Sequence, residues 1–259
     1  MSLSAYLFWS ALAVFLYMTG LFVVALVRKD NSLADIGWGL GFILVAALTF
    51  FIEPGFTLRS LLVTGLVVIW GLRLAVYVFI RNTGRCEDFR YAKWRREWGR
   101  RFILRSYLQV FLLQGLFMLI IIYPVVLVNR SADGPWTAWD VIGAALWLLG
   151  FFFESVGDFQ LLRFKRDPAS KGKIMTTGLW ATTRHPNYFG EATQWWGLFV
   201  IALSVRFGWT AVVSPVTITF LLLRVSGVTR LEKKYEGNPE FAAYARATSA
   251  FIPRKQRKR

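Results

Sequence analysis

Residues 182–197 read TTRHPNYFGEATQWWG, and they begin an apolar segment that continues to about residue 205. The only histidine of the chain, His185, lies here among other polar side chains. Polar groups are expensive in lipid, so a cluster of them calls for a structural or functional reason. Pro186 suits the first turn of a helix, where its missing N–H costs nothing. The stretch therefore predicts a membrane helix that starts near residue 186 at a polar end.

The composition extends this prediction to the whole chain. Of 259 residues, 56% are hydrophobic and 17% are aromatic, which argues against a water-soluble globule. The net charge of +16 comes from basic residues between apolar segments, where they set orientation and meet anionic lipids or phosphate groups. Nucleic acid is therefore not a predicted partner. One cysteine and one histidine leave no intrachain disulfide and no thiolate or imidazole metal cluster.

The apolar runs predict an all-α, polytopic membrane protein with about seven transmembrane helices, since each run is long enough to cross a bilayer about 30 Å thick. These runs are 5–27, 33–52, 57–80, 106–128, 138–162, 186–205 and 209–229. We expect a single membrane domain over 1–259. Its parts are three helices in 1–80, a cytoplasmic basic loop in 81–105, four helices in 106–229 and a cytoplasmic basic tail in 230–259.

Basic residues are distributed unequally between the connections of these helices. Four connections hold 2, 9, 6 and 9 Lys and Arg residues: 28–34, 81–105, 163–185 and 230–259. The alternate connections hold only Arg59, Arg130 and Arg206. The positive-inside rule then places the N-terminus outside and the C-terminus in the cytoplasm.

A polar stripe follows His185 along the predicted helix. Asn187, Glu191 and Gln194 are spaced at i, i+4 and i+7, so they share one face that descends into the membrane. Interhelical hydrogen bonding is one interpretation. The neighbouring Arg184, His185 and Tyr188 favour the other, a ligand cavity, and we predict that these three residues help to bind the cofactor. There His185 would orient a loop, contact phosphate or transfer protons.

The preceding helix carries a similar set near its end. Glu154 and Asp158 are one turn apart, and Arg163 and Lys165 follow within two more turns. A phosphorylated nucleotide requires acidic side chains that bind its hydroxyl groups and basic side chains that bind its phosphates. A local ionic network that closes the helix end is an equal alternative. Glycine-rich phosphate loops are absent, which excludes a Rossmann domain as the holder of a nucleotide.

The charges that fall inside or just inside predicted helices also include Asp35, Arg73 and Arg224. Because none can face lipid cheaply, they predict a polar interior. Arg73 is expected to pair with Asp35, and Arg224 with Glu191 or Asp158. In the basic loop, the interleaved charges and aromatics of Lys93 to Trp98 favour an amphipathic helix at the membrane surface.

An ordered set of motifs resembles the steroid 5-alpha-reductase superfamily, above all its uncharacterised bacterial members. The central motifs are TGLW at 177–180, RHPNYFGE at 184–191 and WWG at 195–197. Upstream and downstream motifs are DIGWG at 35–39, WGLR at 70–73, EDFRY at 87–91, LRVSGV at 223–228 and TSAFIP at 248–253.

This resemblance implies a reductase of the bacterial inner membrane that binds NADPH from the cytoplasmic side. It would pass hydride to a carbon–carbon double bond conjugated to a carbonyl, in a lipophilic substrate that enters from the bilayer among the membrane lipids. The implied cofactor residues are Arg85, Asp88, Asp158, Lys165, Lys173, Asn187, Glu191 and Arg224, which overlap the set read from the residues themselves.

The chain departs from the superfamily where the substrate carbonyl is polarised. Steroid reductases use a Gln-Glu pair on the second helix and a tyrosine on the third, and that Gln-Glu pair is missing here. Asp35 and Tyr77 lie in the corresponding regions and are the predicted catalytic residues. Asp35, protonated in a low-dielectric cavity, would donate a hydrogen bond to a developing enolate.

Two alternatives stay open. Isoprenylcysteine and phospholipid methyltransferases share an Arg-His-Pro-x-Tyr-x-Gly run followed by a late acidic residue, which Glu232 matches, and they bind S-adenosylmethionine. The basic surroundings fit a phosphate-rich cofactor better than a sulfonium. A catalytically silent lipid-binding relative is the second alternative, favoured by the missing Gln-Glu pair.

Overall fold

The structure is a computed structural model that describes residues 1–52, 57–84, 87–131, 134–225, 227–233 and 235–256. Within these ranges the chain is helical and has no strand, apart from one isolated bridge between Thr183 and Ser249. The chain divides into two compact units. The first comprises Met1–Thr137 and Ala202–Ala211, and the second comprises Ala138–Ile201 and Val212–Arg259.

The first unit contains six α-helices. They are α1 (Leu3–Arg28), α2 (Leu33–Phe51), α3 (Leu58–Asn82), α4 (Phe89–Trp98), α5 (Phe102–Ser106) and α6 (Leu113–Arg130). A π-helical turn, Tyr107–Leu112, joins α5 to α6. The second unit is built on α7 (Ala138–Arg166), α8 (Pro186–Ala202), α9 (Val213–Phe220), α10 (Val228–Lys233) and α11 (Pro239–Ala247). A second π-helical turn, Leu221–Val225, follows α9.

Six helical segments in the described ranges are long and apolar enough to cross a membrane. They are Leu3–Arg28, Leu33–Phe51, Leu58–Asn82, Arg90–Arg130, Ala138–Arg166 and Gly208–Val225. The prediction of an all-α, polytopic membrane protein is confirmed. Which side of the membrane each terminus faces stays a prediction.

The predicted helix 186–205 is shorter than expected. As α8 it has 17 residues, below the roughly 20 that a perpendicular crossing takes. It starts at Pro186, as the proline indicated, and it ends at Ala202 because residues 203–207 form turns, with Val205 N donating to the Ala202 carbonyl. Residues 203–205 therefore lie in turns, although the apolar Leu203 and Val205 predicted that the helix continues through them.

Close backbone contact fixes α2 against α3 in the first unit. A Cβ atom on Gly39 would lie 2.6 Å from the Gly71 carbonyl oxygen, and a Cβ atom on Gly71 would lie 2.6 Å from the Gly39 oxygen. Either side chain would therefore collide with the opposite backbone. The Phe42 and Trp70 rings pack edge to face beside this contact, with centroids 5.2 Å apart. Membrane helices commonly associate through such small residues.

Glycines at intervals of seven residues position α7 against α8 in the second unit. Gly143 meets Gly197, Gly150 meets Gly190, and Gly157 meets Pro186, so the two helices run antiparallel. A Cβ atom on Gly150 would lie 2.5 Å from the Gly190 carbonyl oxygen. The polar residues at the end of α7 and the start of α8 are consequently brought together.

Candidate functional site

The loop before α8 is held by the C-terminal segment of the chain. Arg184 N donates to the Ser249 carbonyl at 2.8 Å, and Arg254 N donates to the Thr182 carbonyl at 2.9 Å. The Thr183 hydroxyl is fully buried and donates to the Phe251 carbonyl at 2.9 Å. The Thr182 carbonyl and the Arg184 N–H thus have hydrogen-bond partners, and the start of α8 is held against the C-terminal segment.

An ion pair lies at the centre of this arrangement. Arg184 Nε and Nη2 lie 2.8 and 3.0 Å from the two carboxylate oxygens of Glu232 on α10. Arg184 Nη1 donates to the carbonyl oxygens of Ala245 and Thr248, at 3.0 and 2.6 Å. Four of the five guanidinium N–H groups are therefore directed at protein acceptors. These contacts let Arg184 hold α8, α10 and α11 in position, and its predicted cofactor contact stays a prediction.

His185 joins the same carboxylate. Its Nε2 lies 3.1 Å from Glu232 Oε1, and its ring stacks on Tyr188 with centroids 5.5 Å apart and an interplanar angle of 9°. The side chain is buried within the second unit. Of the three roles considered for His185, orientation of the loop is the one its contacts favour.

The electrostatics of Glu232 follow from these neighbours. Burial raises the pKa of the carboxyl group, but hydrogen bonds from His185 and Arg184 and the charge of Arg184 outweigh it and lower the pKa from 4.5 to about 2. Glu232 is thus an ionised acceptor at neutral pH and has no proton to give. We refer to Arg184, His185 and Glu232 as the Glu232 cluster.

The polar stripe of α8 faces the acids of α7. Asn187 Nδ2 donates to Asp158 Oδ1 at 3.0 Å, and Gln194 Nε2 donates to Glu154. Asp158 and Glu154 are both buried. These contacts fit the interpretation in which Asn187 and Gln194 form hydrogen bonds between two helices. Glu191 is half-buried on the same helix.

A basic cleft opens where α7 ends. It has a volume of about 380 Å³ and is lined by Lys165, Arg166, Lys171 and Lys173. The one acid in its wall, Asp167, already accepts from Ala169 N and from the Ser170 hydroxyl, both at 3.0 Å. Four cations beside one engaged carboxylate have the chemistry that phosphate groups require. The structure thus brings together Lys165 and Lys173, two of the predicted cofactor residues.

Tyr235 lines the basic cleft and also a neighbouring groove of about 610 Å³. Its ring stacks on Phe241 with centroids 4.8 Å apart and an interplanar angle of 16°. The groove also contains the carboxylates of Glu232 and Glu236. A flat aromatic surface between cations and acids suits a nucleotide, which offers a base, phosphates and ribose hydroxyl groups.

Arg224 differs from its sequence prediction. It lies on the π-helical turn Leu221–Val225 and is exposed, so its expected burial is wrong, while its pairing with Glu191 or Asp158 stays a prediction. The reason is its place at the end of the last apolar segment, where the helix widens before the next turn. Arg85 lies outside the described residues.

The first unit holds a second polar cluster, built around Asp35 in the first turn of α2. Arg90 Nη2 pairs with Asp35 Oδ2, and the Tyr91 hydroxyl donates to Asp35 Oδ1 at 2.7 Å. Asp35 therefore pairs with Arg90, whereas Arg73 was the predicted partner. Both carboxylate oxygens act as acceptors in these contacts, whereas the sequence predicted Asp35 as a hydrogen-bond donor.

Asp88 organises the same cluster as the N-cap of α4. Its carboxylate accepts from Arg90 N and from Arg90 Nε, both at 2.9 Å. Burial raises the pKa of Asp88, but the hydrogen bonds and the charge of Arg90 outweigh it and hold the pKa below its ordinary value. Asp88 is thus engaged with Arg90, and its predicted cofactor contact stays a prediction.

Tyr77, the other predicted catalytic residue, is half-buried on α3. The Arg81 guanidinium lies 5.8 Å from the centre of its ring. The tyrosine that contacts Asp35 is instead Tyr91, which is buried in the first unit. Tyr91 and Glu232 are the residues that sequence reasoning left out of the site. The signal for Tyr91 was its place in the EDFRY motif, and for Glu232 it was its match to the late acidic residue that follows the Arg-His-Pro run in the methyltransferases.

The chain is similar to one protein family and to a yeast protein, neither of which has a named activity. The family described as a protein of unknown function (DUF1295) matches residues 21–248. An uncharacterized protein of Schizosaccharomyces pombe is 27% identical over 233 residues, which cover 76% of this chain and 64% of the yeast protein. The chain thus spans less than two thirds of that relative.

Two shorter matches carry named activities. The steroid 5-alpha-reductase DET2 of Arabidopsis thaliana is 34% identical over 73 residues, 28% of each protein. The bovine (Bos taurus) 3-oxo-5-alpha-steroid 4-dehydrogenase 1 is 35% identical over 79 residues, 30% of each protein. The predicted relationship to steroid 5-alpha-reductases is confirmed, at low identity and over less than a third of each named enzyme.

Proposed function

The chain belongs to the DUF1295 family, and on that premise we propose that it is a membrane-embedded reductase that takes hydride from NADPH. The acceptor is a carbon–carbon double bond conjugated to the carbonyl of a lipophilic substrate. The observation that carries this proposal is the similarity to two proteins named as steroid reductases or dehydrogenases. The superfamily resemblance supplies the cofactor and the bond that is reduced.

The basic cleft supports a phosphate-bearing cofactor. Lys165, Lys171 and Lys173 would bind phosphate oxygens, and the ring of Tyr235 would pack against the base. NADPH, when bound, supplies the hydride, and the protein supplies binding and orientation. The Glu232 cluster acts indirectly in this proposal, because it fixes the start of α8 and the α10–α11 groove.

The Asp35 cluster offers a proton donor in the first unit. Since Asp35 accepts from both Arg90 and Tyr91, the group with a transferable proton is the Tyr91 hydroxyl. We assign Tyr91 the role of hydrogen-bond donor to the developing enolate: its hydroxyl, which donates to Asp35 in the absence of substrate, would turn to the substrate oxygen, and Asp35 would stay paired with Arg90. The earlier predictions of Asp35 and Tyr77 as catalytic residues are the alternatives that mutagenesis tests.

Ligand-dependent stabilisation tests the cofactor, because only a ligand of the folded state raises the melting temperature. Purified protein in detergent is heated with NADPH, NADH or S-adenosylmethionine at equal concentrations. We expect stabilisation by NADPH, weaker stabilisation by NADH and none by S-adenosylmethionine. Stabilisation by S-adenosylmethionine alone would overturn the reductase in favour of the methyltransferase.

Turnover separates the reductase from a catalytically silent relative. NADPH oxidation is followed by the near-ultraviolet absorbance of the reduced nicotinamide, with a panel of unsaturated lipid ketones. Oxidation with at least one of them supports the proposal. Tight NADPH binding without oxidation across steroid, isoprenoid and fatty enones counts against it.

A further inference from the structure

The helix α4 carries one continuous aromatic face. Trp94 and Trp98 stack with centroids 5.2 Å apart and an interplanar angle of 10°. Trp98 then contacts Phe102 at 6.1 Å, so the face continues into α5. Tryptophan rings favour the boundary between lipid headgroups and acyl chains. This face marks the level at which the first unit meets the membrane surface.

Arginines concentrate at the same place. Arg96, Arg100, Arg101 and Arg105 are all exposed in the first unit. The Arg105 guanidinium lies 6.0 Å from the centre of the Trp98 ring. A cation held over an aromatic ring is oriented as well as attracted. We call the surface formed by these four arginines, Trp94 and Trp98 the α4–α5 basic surface.

The acids of this region are committed to other cations. Glu87 makes a two-point ion pair with Arg95, at 2.7 and 3.0 Å. Asp88 pairs with Arg90 at 2.9 Å, and Glu97 pairs with Lys93 at 3.6 Å. The positive charge of the α4–α5 basic surface is therefore not matched by the nearby carboxylates of residues 87–106, and the surface favours an anionic ligand.

Apolar side chains show where the surface ends. Ile103, Leu104 and Leu108 are 58%, 62% and 48% exposed, as suits residues that face acyl chains. They alternate along the chain with Arg101 and Arg105. The guanidinium groups of Arg101 and Arg105 therefore adjoin exposed apolar side chains within one segment of the chain. Guanidinium groups bind phosphate oxygens in a bidentate manner.

We infer that the α4–α5 basic surface is a binding site for the phosphodiester headgroup of an anionic phospholipid. Arg100, Arg101 and Arg105 contact the phosphate, and the Trp94–Trp98 pair packs against the glycerol and upper acyl chains. The occupant is a lipid, since the exposed apolar residues adjoin the arginines directly. This site is independent of the cofactor and substrate proposed above.

Lipid retention tests this inference with the full chain. The protein is placed in nanodiscs of phosphatidylcholine with an equal amount of phosphatidylglycerol, extracted gently, and its bound lipids are counted by native mass spectrometry. We compare wild type with Arg100→Gln/Arg101→Gln/Arg105→Gln. The matched control removes three exposed cations elsewhere, in Arg246→Gln/Arg254→Gln/Lys255→Gln.

We expect wild type and the control to retain phosphatidylglycerol in preference to phosphatidylcholine. In the Arg100→Gln/Arg101→Gln/Arg105→Gln variant that retention falls by at least about tenfold. Equal retention by this variant and wild type overturns the site, as does an equal loss in the control or no preference between the two lipids in wild type. Competition with inorganic phosphate, which we expect to leave the lipid bound, separates a lipid site from a free-phosphate site.

A second variant keeps the test decisive if the glutamine variant does not fold. Arg100→Lys/Arg101→Lys/Arg105→Lys retains the charge and loses the bidentate geometry. We expect its phosphatidylglycerol retention to lie below that of wild type. Unchanged retention would overturn the assignment of the phosphate to these guanidinium groups.

Discussion

Arg184 and Glu232 form a two-point ion pair that joins the loop before α8 to α10, with N–O distances of 2.8 and 3.0 Å. The same carboxylate contacts His185, so the RHP segment is anchored by one acid far along the chain. The motif that first suggested an active site is therefore a structural anchor in the second unit. The basic cleft and the Tyr235 groove are arranged around it.

Replacement of Glu232 tests this anchor. Glu232→Gln keeps the shape of the side chain and leaves the largely buried Arg184 without its counter-charge. We expect the free energy of unfolding to fall by about 2–3 kcal/mol. The measurement is thermal unfolding in detergent. Glu236→Gln, an exposed acid on the same segment, is the control and should change little; similar effects of both variants would argue against the anchor.

Acid should weaken the same contact. The folded-state pKa of Glu232, about 2, lies below its ordinary value of 4.5. Its contribution to stability is therefore fully present above about pH 4.5 and is lost as the pH falls toward about 2. We expect the stability difference between wild type and Glu232→Gln to shrink across this window. A constant difference from pH 6 to pH 2 would contradict the assignment.

The glycine contacts of α7 and α8 predict a steric effect. In Gly150→Ala the new Cβ atom would lie 2.5 Å from the Gly190 carbonyl oxygen. Because the Gly190 oxygen is a backbone atom, it cannot rotate out of the way. We therefore expect the free energy of unfolding to fall by about 1–3 kcal/mol. In Gly20→Ala the Cβ atom would meet nothing within 4 Å, so this control should be neutral or slightly stabilising. Equal melting temperatures of the two variants would refute the close packing.

The basic cleft predicts a change in cofactor affinity. Lys171→Gln/Lys173→Gln removes two of its four cations. We expect the Kd for NADPH to rise about tenfold, because each lost phosphate contact is charge-assisted. Isothermal titration measures it, with Arg254→Gln/Lys255→Gln as the control for net charge. An unchanged Kd would place the phosphates elsewhere without excluding a reductase.

Tyr91 and Asp35 predict different mutant kinetics. Tyr91→Phe removes the proposed donor, and we expect kcat to fall by about a hundredfold. Stability should fall only by the loss of one hydrogen bond to a carboxylate, about 1.5–3 kcal/mol, because the ring still fills its buried place. Tyr107→Phe, another hydroxyl loss in the first unit, should have little effect on kcat. Full activity in Tyr91→Phe, together with its loss in Asp35→Ala or Tyr77→Phe, would return the catalytic role to the residues predicted from the sequence.

The elements of the fold were predictable because hydropathy is a local property. Apolar runs located the long helices, and Pro186 located the start of α8. The end of α8 was not predictable, since the turns after Ala202 carry apolar side chains that look like helix. The glycine spacing on α7 was visible in the sequence, but its meaning depended on which helix lies opposite.

The partners of charged residues were harder to predict. Asp35 and Arg73 are charges on two successive predicted helices, which suggested that they pair. The cation that pairs with Asp35 is instead Arg90, from the basic loop. Glu232 lies 48 positions from Arg184. Such pairs depend on loop paths and helix rotation, which residue spacing does not encode. The proximity of Lys165 and Lys173 was predictable because Lys165 lies in the last turn of α7 and Lys173 lies on the connection that follows.

Transfer of a labelled hydride tests the central proposal most directly. Purified protein is incubated with NADPH deuterated at the reactive carbon of the nicotinamide and with a lipophilic enone, and the product is analysed by mass spectrometry. We predict a saturated ketone that carries one deuterium on the carbon β to the carbonyl and one solvent proton on the α carbon. Unlabelled, unreduced enone from protein that binds NADPH tightly would contradict the account.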